Sequence, residues 1–225
     1  MQFVFDADIP ERSRTVHYLF YMMGKSASGK DTLYKRLLTM LPQLSPLVLH
    51  TTRPQRAGEQ EGREYHFISE AQLAAMCKAD MFIEVRTYHT KHGDWTYCTA
   101  KDSTDLSAGS FLGIGTLESY KKIRAYYGKE KVIPIYIEVE DGLRLQRALE
   151  RERAQETPHY AEMCRRFLTD SQDFSEEKLA EAGIGRRFAN LELDTCAAEI
   201  AGYISDMLAE YRQPQSPSSL TGSCG

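Results

Sequence analysis

The stretch GKSASGKDT, residues 24–32, is the feature that most limits what this chain can fold into. It follows an apolar run at residues 17–23 that predicts a strand buried on both faces, and it precedes leucines at helical spacing. Gly24, four further residues, Gly29 and Lys30 match the GxxxxGK pattern of a phosphate-binding loop. Glycines let backbone amides curl around phosphate oxygens, the helix N-terminus adds its dipole, and Lys30 supplies a cation. The junction therefore predicts a nucleotide phosphate site between a strand and a helix.

The position after the lysine departs from this pattern, because Asp31 stands where a Ser or Thr hydroxyl would bind magnesium. A carboxylate repels a triphosphate unless a cation or a water lies between the charges. Thr32 keeps a hydroxyl nearby, so we predict that Asp31 acts on Mg2+ through water, assisted by Thr32. The loop residues expected to bind the nucleotide are Gly24, Lys25, Ser26, Ala27, Ser28, Gly29, Lys30, Asp31 and Thr32.

Strand and helix patterns alternate along the rest of the chain. We predict strands at residues 47–49, 81–85, 110–115 and 132–139, and helices at 32–41, 70–78, 118–127 and 141–154. Such alternation predicts an α/β fold with a parallel sheet and right-handed crossovers. Residues 213–225, rich in Pro, Ser and Gly, are expected to be disordered.

Composition excludes several classes of protein. The net charge of −4 argues against general binding to nucleic acid, and no apolar run is long enough to cross a membrane. The N-terminus is acidic and contains Pro10, unlike a secretory signal. The five cysteines show no CxxC pair, which favours reduced thiols and a cytoplasmic protein.

A second motif, TTRPQRAGEQEGREYHF at residues 51–67, places Arg53 and Arg56 three apart and upstream of Tyr65. Guanidinium groups bind phosphate through paired hydrogen bonds and a phenol adds another donor, so the trio suits the phosphate of a nucleoside monophosphate. Together the two motifs strongly resemble those of guanylate kinases, which have a P-loop followed by TTRxxRxGExxGxxYxF. The matching positions of the second motif are Thr51, Thr52, Arg53, Arg56, Gly58, Glu59, Gly62, Tyr65 and Phe67.

The resemblance implies an ATP- and Mg2+-dependent kinase of purine nucleotide metabolism that phosphorylates GMP or dGMP. It assigns the acceptor phosphate to Arg53, Arg56 and Tyr65, and the base to Glu84, whose carboxylate would accept from guanine N1 and N2. Two departures affect the base site. His92 stands where the family has a tyrosine, with Tyr97 as a possible substitute, and Gly113 and Gly115 replace two family acids, leaving Thr116 as a candidate contact.

The resemblance also implies a helical lid whose arginines close over the transferring phosphoryl group. The best matches are Arg147, Arg151 and Arg166, and Asn190 would lie near the adenine. With Lys30 and Arg53, these arginines form the predicted catalytic set. The expected organisation is one P-loop NTPase-type domain at 1–212, with its core at about 15–50 and 104–212, a monophosphate-binding insertion at about 51–103 and a lid at about 150–170.

Two other functions stay open on the sequence alone. A related kinase could act on another nucleoside monophosphate or a phosphorylated small molecule, which the glycines at 113 and 115 would favour. A guanylate-kinase-like module could instead bind phosphopeptides without catalysis, although such modules typically lose the loop or the lid. A small GTPase is disfavoured because no NKxD-type motif is found. Neither a nucleic acid nor a membrane is expected as a partner, and a monomer or homodimer fits equally well.

Overall fold

The strand, loop and helix predicted around residues 17–41 are present in the computed structural model, which describes residues 16–90 and 93–210. The predicted tail at 213–225 and His92 lie outside the described residues, as do residues 1–15. The elements follow one another as β1 (Leu19–Met23), α1 (Lys30–Met40), β2 (Leu44–Pro46), β3 (Leu49–Thr51), β4 (Tyr65–Phe67), α2 (Glu70–Lys78), β5 (Phe82–Thr90), β6 (Gly93–Ala100), β7 (Ser110–Ile114), α3 (Leu117–Tyr127), β8 (Val132–Glu138), α4 (Asp141–Arg153), α5 (Tyr160–Asp173), α6 (Glu176–Glu181), β9 (Arg187–Ala189) and α7 (Leu193–Glu210).

A five-stranded parallel sheet in the order β2-β7-β1-β8-β9 confirms the predicted α/β class. Strand β1 lies at its centre and all five of its residues are buried, as its unbroken apolar sequence predicts. Strands β7 and β8 flank it in register, with Met22 opposite both Ile114 and Ile135. The loop after β1 therefore emerges at the carboxyl edge of the sheet, where α/β folds bind their ligands.

Alternate residues of β1 supply two separate hydrophobic cores. Phe20 and Met22 face a cluster that includes α1 and α7, with Leu37 and Ile200 among its members. Tyr21 and its neighbours Leu19 and Met23 face the opposite cluster, which contains α3. This division follows from the two-residue period of a strand, which sends successive side chains to opposite faces.

A second sheet, in the order β4-β3-β6-β5, lies between β2 and β7 in the chain. Its longest pairing is antiparallel, between β5 and β6, and begins with an irregularity between Phe82 and Glu84. The sequence predicted only residues 81–85 as a strand here and missed β6 altogether. Pairs such as Thr87 with Thr96 form only when β5 and β6 meet, and this cross-strand context, which a local pattern does not contain, decides whether the segments become strands.

The predicted strand at 47–49 is wrong in its bounds, since two short strands lie on either side of Leu47 and belong to different sheets. Leu47 still donates its backbone N–H to the oxygen of Leu112 at 2.8 Å, so the chain leaves the main sheet only after this residue. Both Leu47 and Leu49 are buried, which explains the apolar pattern.

Local signals fixed several helix ends. Helix α2 has the predicted bounds, and Ser69 and Gln72 form a capping box at its start. Thr116 and Ser119 form a second box at the start of α3.

Within residues 16–90 and 93–210, no helix has the length and apolar character needed to span a bilayer. The four cysteines in the described part of the chain are free thiols, as predicted for them, and Cys224 lies outside it.

Candidate active site

The loop between β1 and α1 is tightly curled, and glycine is required at two of its positions. A Cβ on Gly24 would come within 2.7 Å of the backbone oxygen of Ile137. Gly29 has φ +82° and faces the amide nitrogen of Asn190, leaving no space for a side chain. Ala27 also takes a left-handed φ of 61°, which is uncommon for a residue with a Cβ and is found where structure overrides local preference. The loop is thus held in the nest-like form that presents amides to an anion.

Two polar groups of the loop have no partner among the described residues. The Ser28 hydroxyl is buried and has no hydrogen bond among the described residues. In the same part of the chain, Lys30 Nζ has neither a hydrogen bond nor an ion pair. Because buried polar groups are normally satisfied, an unpartnered hydroxyl beside a free lysine fits a site for phosphate oxygens.

The first half of the loop is anchored by two residues that the sequence did not single out, Arg144 of α4 and Asp170 of α5. The Arg144 side chain is almost fully buried and donates to the backbone oxygen of Ser26 at 3.0 Å and to Asp141 at 2.7 Å. Asp170 accepts from the backbone nitrogen of Ser26 at 2.7 Å. Burial is the largest single influence and opposes the Asp141 charge, but Arg144 and Lys25 together lower the Asp141 pKa. Lys25, predicted to bind nucleotide, instead pairs with Asp141 at 3.3 Å in this structure.

Arg53 is held in a fixed orientation on the segment after β3. Its side chain is 3% exposed, and Nη2 donates to Glu59 Oε1 at 2.7 Å while Nη1 donates to the backbone oxygen of Pro54 at 2.8 Å. The guanidinium carbon also lies 5.3 Å from the centre of the Tyr65 ring. Burial is the largest single influence and opposes its charge, but the combined effect of Glu59 and Tyr97 raises the Arg53 pKa. A preformed guanidinium of this kind suits recognition of an anion.

The other residues predicted for the acceptor phosphate surround Arg53. The Tyr65 ring contacts that of Tyr97 edge-on, with centroids 5.6 Å apart, and Tyr97 also helps to raise the Arg53 pKa. Arg56 is exposed, with its guanidinium 6.0 Å from the Trp95 ring centre. Its backbone nitrogen donates to Glu59 at 2.8 Å, so Glu59 organises both arginines.

Asp31 and Tyr65 belong to the two different motifs. Burial is the main cause that raises the pKa of Tyr65, and the Asp31 carboxylate is one of the smaller causes. Asp31 and Thr32 are both exposed at the start of α1. In the two described ranges, no group of three or more His, Cys, Asp or Glu side chains could hold a metal ion. One carboxylate and one hydroxyl still fit Mg2+, which takes few protein ligands when substrate phosphates supply the rest.

Glu84, predicted to bind the base, is buried and already paired. Arg86 Nε donates to Oε2 at 2.7 Å, and the Thr99 hydroxyl donates to Oε1 at 2.7 Å. Arg86 Nη1 continues to the Thr116 hydroxyl at 3.1 Å, which joins β5 to the N-terminus of α3. The structure therefore brings Glu84 and Thr116 together through Arg86, a residue that the sequence analysis did not consider.

Tyr21 explains why glycines stand at 113 and 115. A Cβ on Gly113 would come within 2.8 Å of the Tyr21 ring, and one on Gly115 would overlap its hydroxyl. That hydroxyl hydrogen-bonds Ser119 at 2.7 Å, and burial raises the Tyr21 pKa to about 12, so it stays neutral. A neutral phenol thus fills the space beside both glycines.

We expect Gly115→Ala to lower the free energy of unfolding by about 1–2 kcal/mol, because the new methyl overlaps a buried, hydrogen-bonded ring. Urea denaturation gives the measurement. The same substitution in a Tyr21→Leu background should cost clearly less, since the ring is then absent. Equal costs in both backgrounds would contradict the assignment of this contact.

The predicted lid arginines take three different positions. Arg147 Nη2 donates to the backbone oxygen of Asn190 at 3.1 Å, next to the loop, whereas Arg151 is exposed on the last turn of α4. Arg166 on α5 donates to Glu162 at 2.9 Å, and Arg165 donates to the same carboxylate. The Arg165 hydrogen bond is the main cause that lowers the Glu162 pKa to about 2. In this conformation, Arg147 alone of the three contacts the residues around the loop.

Asn190 lies beneath the phosphate loop. Its amide nitrogen donates to the Ser28 backbone oxygen at 2.7 Å, and the residue is buried. A cavity of about 360 Å³ opens beside it, lined by Lys25, Glu138, Arg144, Leu191 and neighbouring residues. Asn190 therefore contacts the loop, and the cavity next to it has space for a nucleotide base.

A parallel sheet whose central strand ends in a curled loop of glycines, with a lysine opening the following helix, defines the P-loop NTPase fold. A solved guanylate kinase from Anaplasma phagocytophilum has the same fold, with a TM-score of 0.63 and 16% identity over 89% of this chain and 92% of that one. The family model described as "Guanylate kinase" matches residues 18–176, and the chain belongs to this family.

Curated relatives agree over shorter segments. A guanylate kinase from Coxiella burnetii is 39% identical over 84 residues, 37% of this chain, and one from Legionella pneumophila (strain Lens) is 42% identical over 66 residues, 29% of this chain. These matches span 39% and 32% of the relatives' own length. The resemblance stated from the two motifs is confirmed at the level of the family.

Proposed function

We infer that this protein is an ATP-dependent nucleoside monophosphate kinase that converts ATP and GMP or dGMP to ADP and GDP or dGDP. The observation that carries the proposal is the pairing of two anion sites. One is the curled loop with its unpartnered Ser28 hydroxyl and Lys30, and the other is the buried Arg53 guanidinium with Tyr65 and Tyr97. Family membership supports the same reaction.

Phosphoryl transfer needs positioning and charge neutralisation more than covalent chemistry. In this proposal, the loop residues 24–32 bind the ATP phosphates, and Arg53, Arg56 and Tyr65 hold the acceptor phosphate in line. No general base is required, because the acceptor phosphate is itself the nucleophile. Asp31 and Thr32 would hold Mg2+, in part through water, and the ion would supply neutralisation of the phosphate charge.

The lid forms the second part of the proposal. Closure of the lid at about 150–170 would bring Arg151 and Arg166 towards the transferring group, beside Arg147, and exclude water that would otherwise hydrolyse ATP. Arg166 must leave Glu162 for this, and their exposed ion pair offers little resistance. The adenine would occupy the cavity beside Asn190.

We also propose a cytoplasmic location, with which the free thiols are consistent.

The test is a coupled ADP-release assay with ATP, Mg2+ and each nucleoside monophosphate in turn. We expect turnover with GMP or dGMP that Lys30→Ala lowers and Lys35→Ala, an exposed lysine of the same helix, leaves unchanged. ATP binding is measured alongside. A chain that binds no ATP would instead be a phosphopeptide-binding module, and turnover restricted to other acceptors would reject GMP as the substrate.

We expect Asp31→Ser to keep nucleotide turnover within about threefold of the original protein or to raise it, because serine restores a hydroxyl ligand for Mg2+. Steady-state kinetics over a Mg2+ titration give the answer. A complete loss of activity in a folded variant would mean that the carboxylate has an essential role of its own.

A further inference from the structure

The Glu84 carboxylate is already occupied by groups of this chain. Its side chain is fully buried, Oε2 accepts from Arg86 Nε at 2.7 Å, and Oε1 accepts from Thr99 at 2.7 Å and from Arg86 Nη2 at 3.4 Å. A carboxylate offers about four acceptor positions, so at least three are in use. A base edge with two adjacent donors would have to displace one of these charge-assisted bonds.

Arg86 is as firmly placed as Glu84. Its side chain is 8% exposed, and Nη1 donates to the Thr116 hydroxyl at 3.1 Å and to the Tyr88 hydroxyl at 3.4 Å. Burial is the largest single influence and opposes the charge, but the Glu84 carboxylate together with Tyr21 and Tyr88 raises the Arg86 pKa. Arg86 therefore stays charged. Among the described residues, its Nη1 group donates only to the two hydroxyls, which can rotate away from it and act as donors themselves.

The charge around this pair differs from that of a pocket built to accept hydrogen bonds. Gly113 and Gly115 carry no acid, and the space beside them is filled by the neutral Tyr21 ring. The charges of the Glu84 carboxylate and the Arg86 guanidinium cancel. The other polar groups bonded to Arg86 are the hydroxyls of Thr116 and Tyr88. A site of this composition favours a base with acceptors on the edge that it presents.

We propose that Arg86 is a specificity-determining residue that selects the base through its oxygen and nitrogen acceptors, so that 6-oxopurine nucleoside monophosphates bind with or without a 2-amino group. An arginine fork matches the adjacent O6 and N7 acceptors of guanine, and hypoxanthine presents the same pair. Adenine presents a donor at position 6, which faces the guanidinium donors unfavourably. The inference rests on the proposed function, since it concerns the acceptor base of that reaction.

The first experiment measures equilibrium binding of GMP, IMP and AMP by titration calorimetry without ATP. We expect the Kd values of GMP and IMP to agree within about threefold, and AMP to bind at least about tenfold more weakly. GMP binding more than about tenfold tighter than IMP would overturn the inference, because it would show that the 2-amino group is read by an acceptor. Failure of all three nucleotides to bind would overturn it as well.

Two variants locate the selectivity. Glu84→Gln keeps the shape of the side chain and an oxygen for Arg86, so it should weaken GMP and IMP by the same factor. A selective loss of GMP would show that Glu84 reads guanine directly. Arg86→Gln should reduce the discrimination between GMP and AMP by at least about tenfold, whereas the exposed Arg63→Gln should leave it unchanged. Unchanged discrimination in a folded Arg86→Gln protein would also overturn the inference.

Control measurements distinguish a variant that fails to fold from one that folds but loses its selectivity. Circular dichroism melts report whether each variant folds, and if Arg86→Gln does not, the original protein and Glu84→Gln decide the question. ADP release is measured in parallel. Equal binding of GMP and IMP without turnover would reject the proposed kinase reaction but keep the assignment of Arg86. Turnover of GMP with strong rejection of IMP would keep the kinase reaction but reject the assignment of Arg86.

Discussion

Arg53→Ala is expected to lower kcat/KM for the acceptor nucleotide about 10²–10³-fold, the range found when a preorganised donor to a charged group is removed. The effect is large because Arg53 is buried and held by Glu59 and the Pro54 oxygen, so its guanidinium is already oriented, whereas the exposed Arg56 side chain is not held in this way. Both KM for the acceptor and kcat should change, since the acceptor phosphate is bound in the ground state and in the transition state.

Steady-state kinetics with the acceptor varied at saturating ATP give the measurement. Arg63→Ala is the matched control, because its side chain is 62% exposed and pairs with its neighbour Glu64. A Kd for ATP that stays constant would confine the effect to the acceptor side. Arg53→Ala kinetics that equal those of the control would remove Arg53 from the proposed site.

Arg144→Met is expected to reduce the free energy of unfolding by about 3 kcal/mol, at the lower end of the range for breaking a buried ion pair. Methionine retains the apolar stem but leaves the Ser26 oxygen and Asp141 without the hydrogen bonds from Arg144, and Asp170 without its ion pair to Arg144. Asp141 is half-exposed and stays hydrated, which is why we expect the lower end. The melting temperature should fall by roughly 6–12 °C for a chain of this size.

Urea denaturation gives the unfolding free energy, with Arg165→Met as the control because Arg165 is 63% exposed and pairs only on the surface. Arg144→Met should also weaken ATP binding, since Arg144 holds the first half of the phosphate loop. A variant that is as stable as the control, with unchanged ATP affinity, would show that the loop is anchored by other contacts.

The phosphate loop and the acceptor motif could be predicted because their requirements are local. Gly24 and Gly29 occupy positions where a side chain would meet backbone or a buried amide, and the loop sits between a strand and a helix that the apolar pattern identifies. Arg53 and Tyr65 belong to one short motif, and the Arg53 guanidinium carbon lies 5.3 Å from the centre of the Tyr65 ring. Their roles in binding stay proposals, whereas the fold class and the family are confirmed.

Other parts of the site could not be predicted, because they depend on residues far apart in the chain. Arg144 reaches Ser26 across 118 positions, and Asp170 reaches the same residue across 144. Nothing in the local pattern around Arg144 distinguishes it from the exposed arginines of the same helix. Arg86 was missed for a similar reason, since its partner Thr116 lies 30 positions away on another element.

The sequence by itself determined the strand, loop and helix that begin the fold, the parallel α/β class and the two phosphate-binding motifs. Backbone sterics and the spacing of apolar residues act within a few positions, and the chain carries them wherever it folds. Only the tertiary structure decided what surrounds those motifs: the Arg144 anchor, the Glu84–Arg86 pair and the Tyr21 ring beside Gly115. Burial is the physical reason, because a charge or a ring takes its role from the groups that exclude water around it, and packing alone brings those groups together.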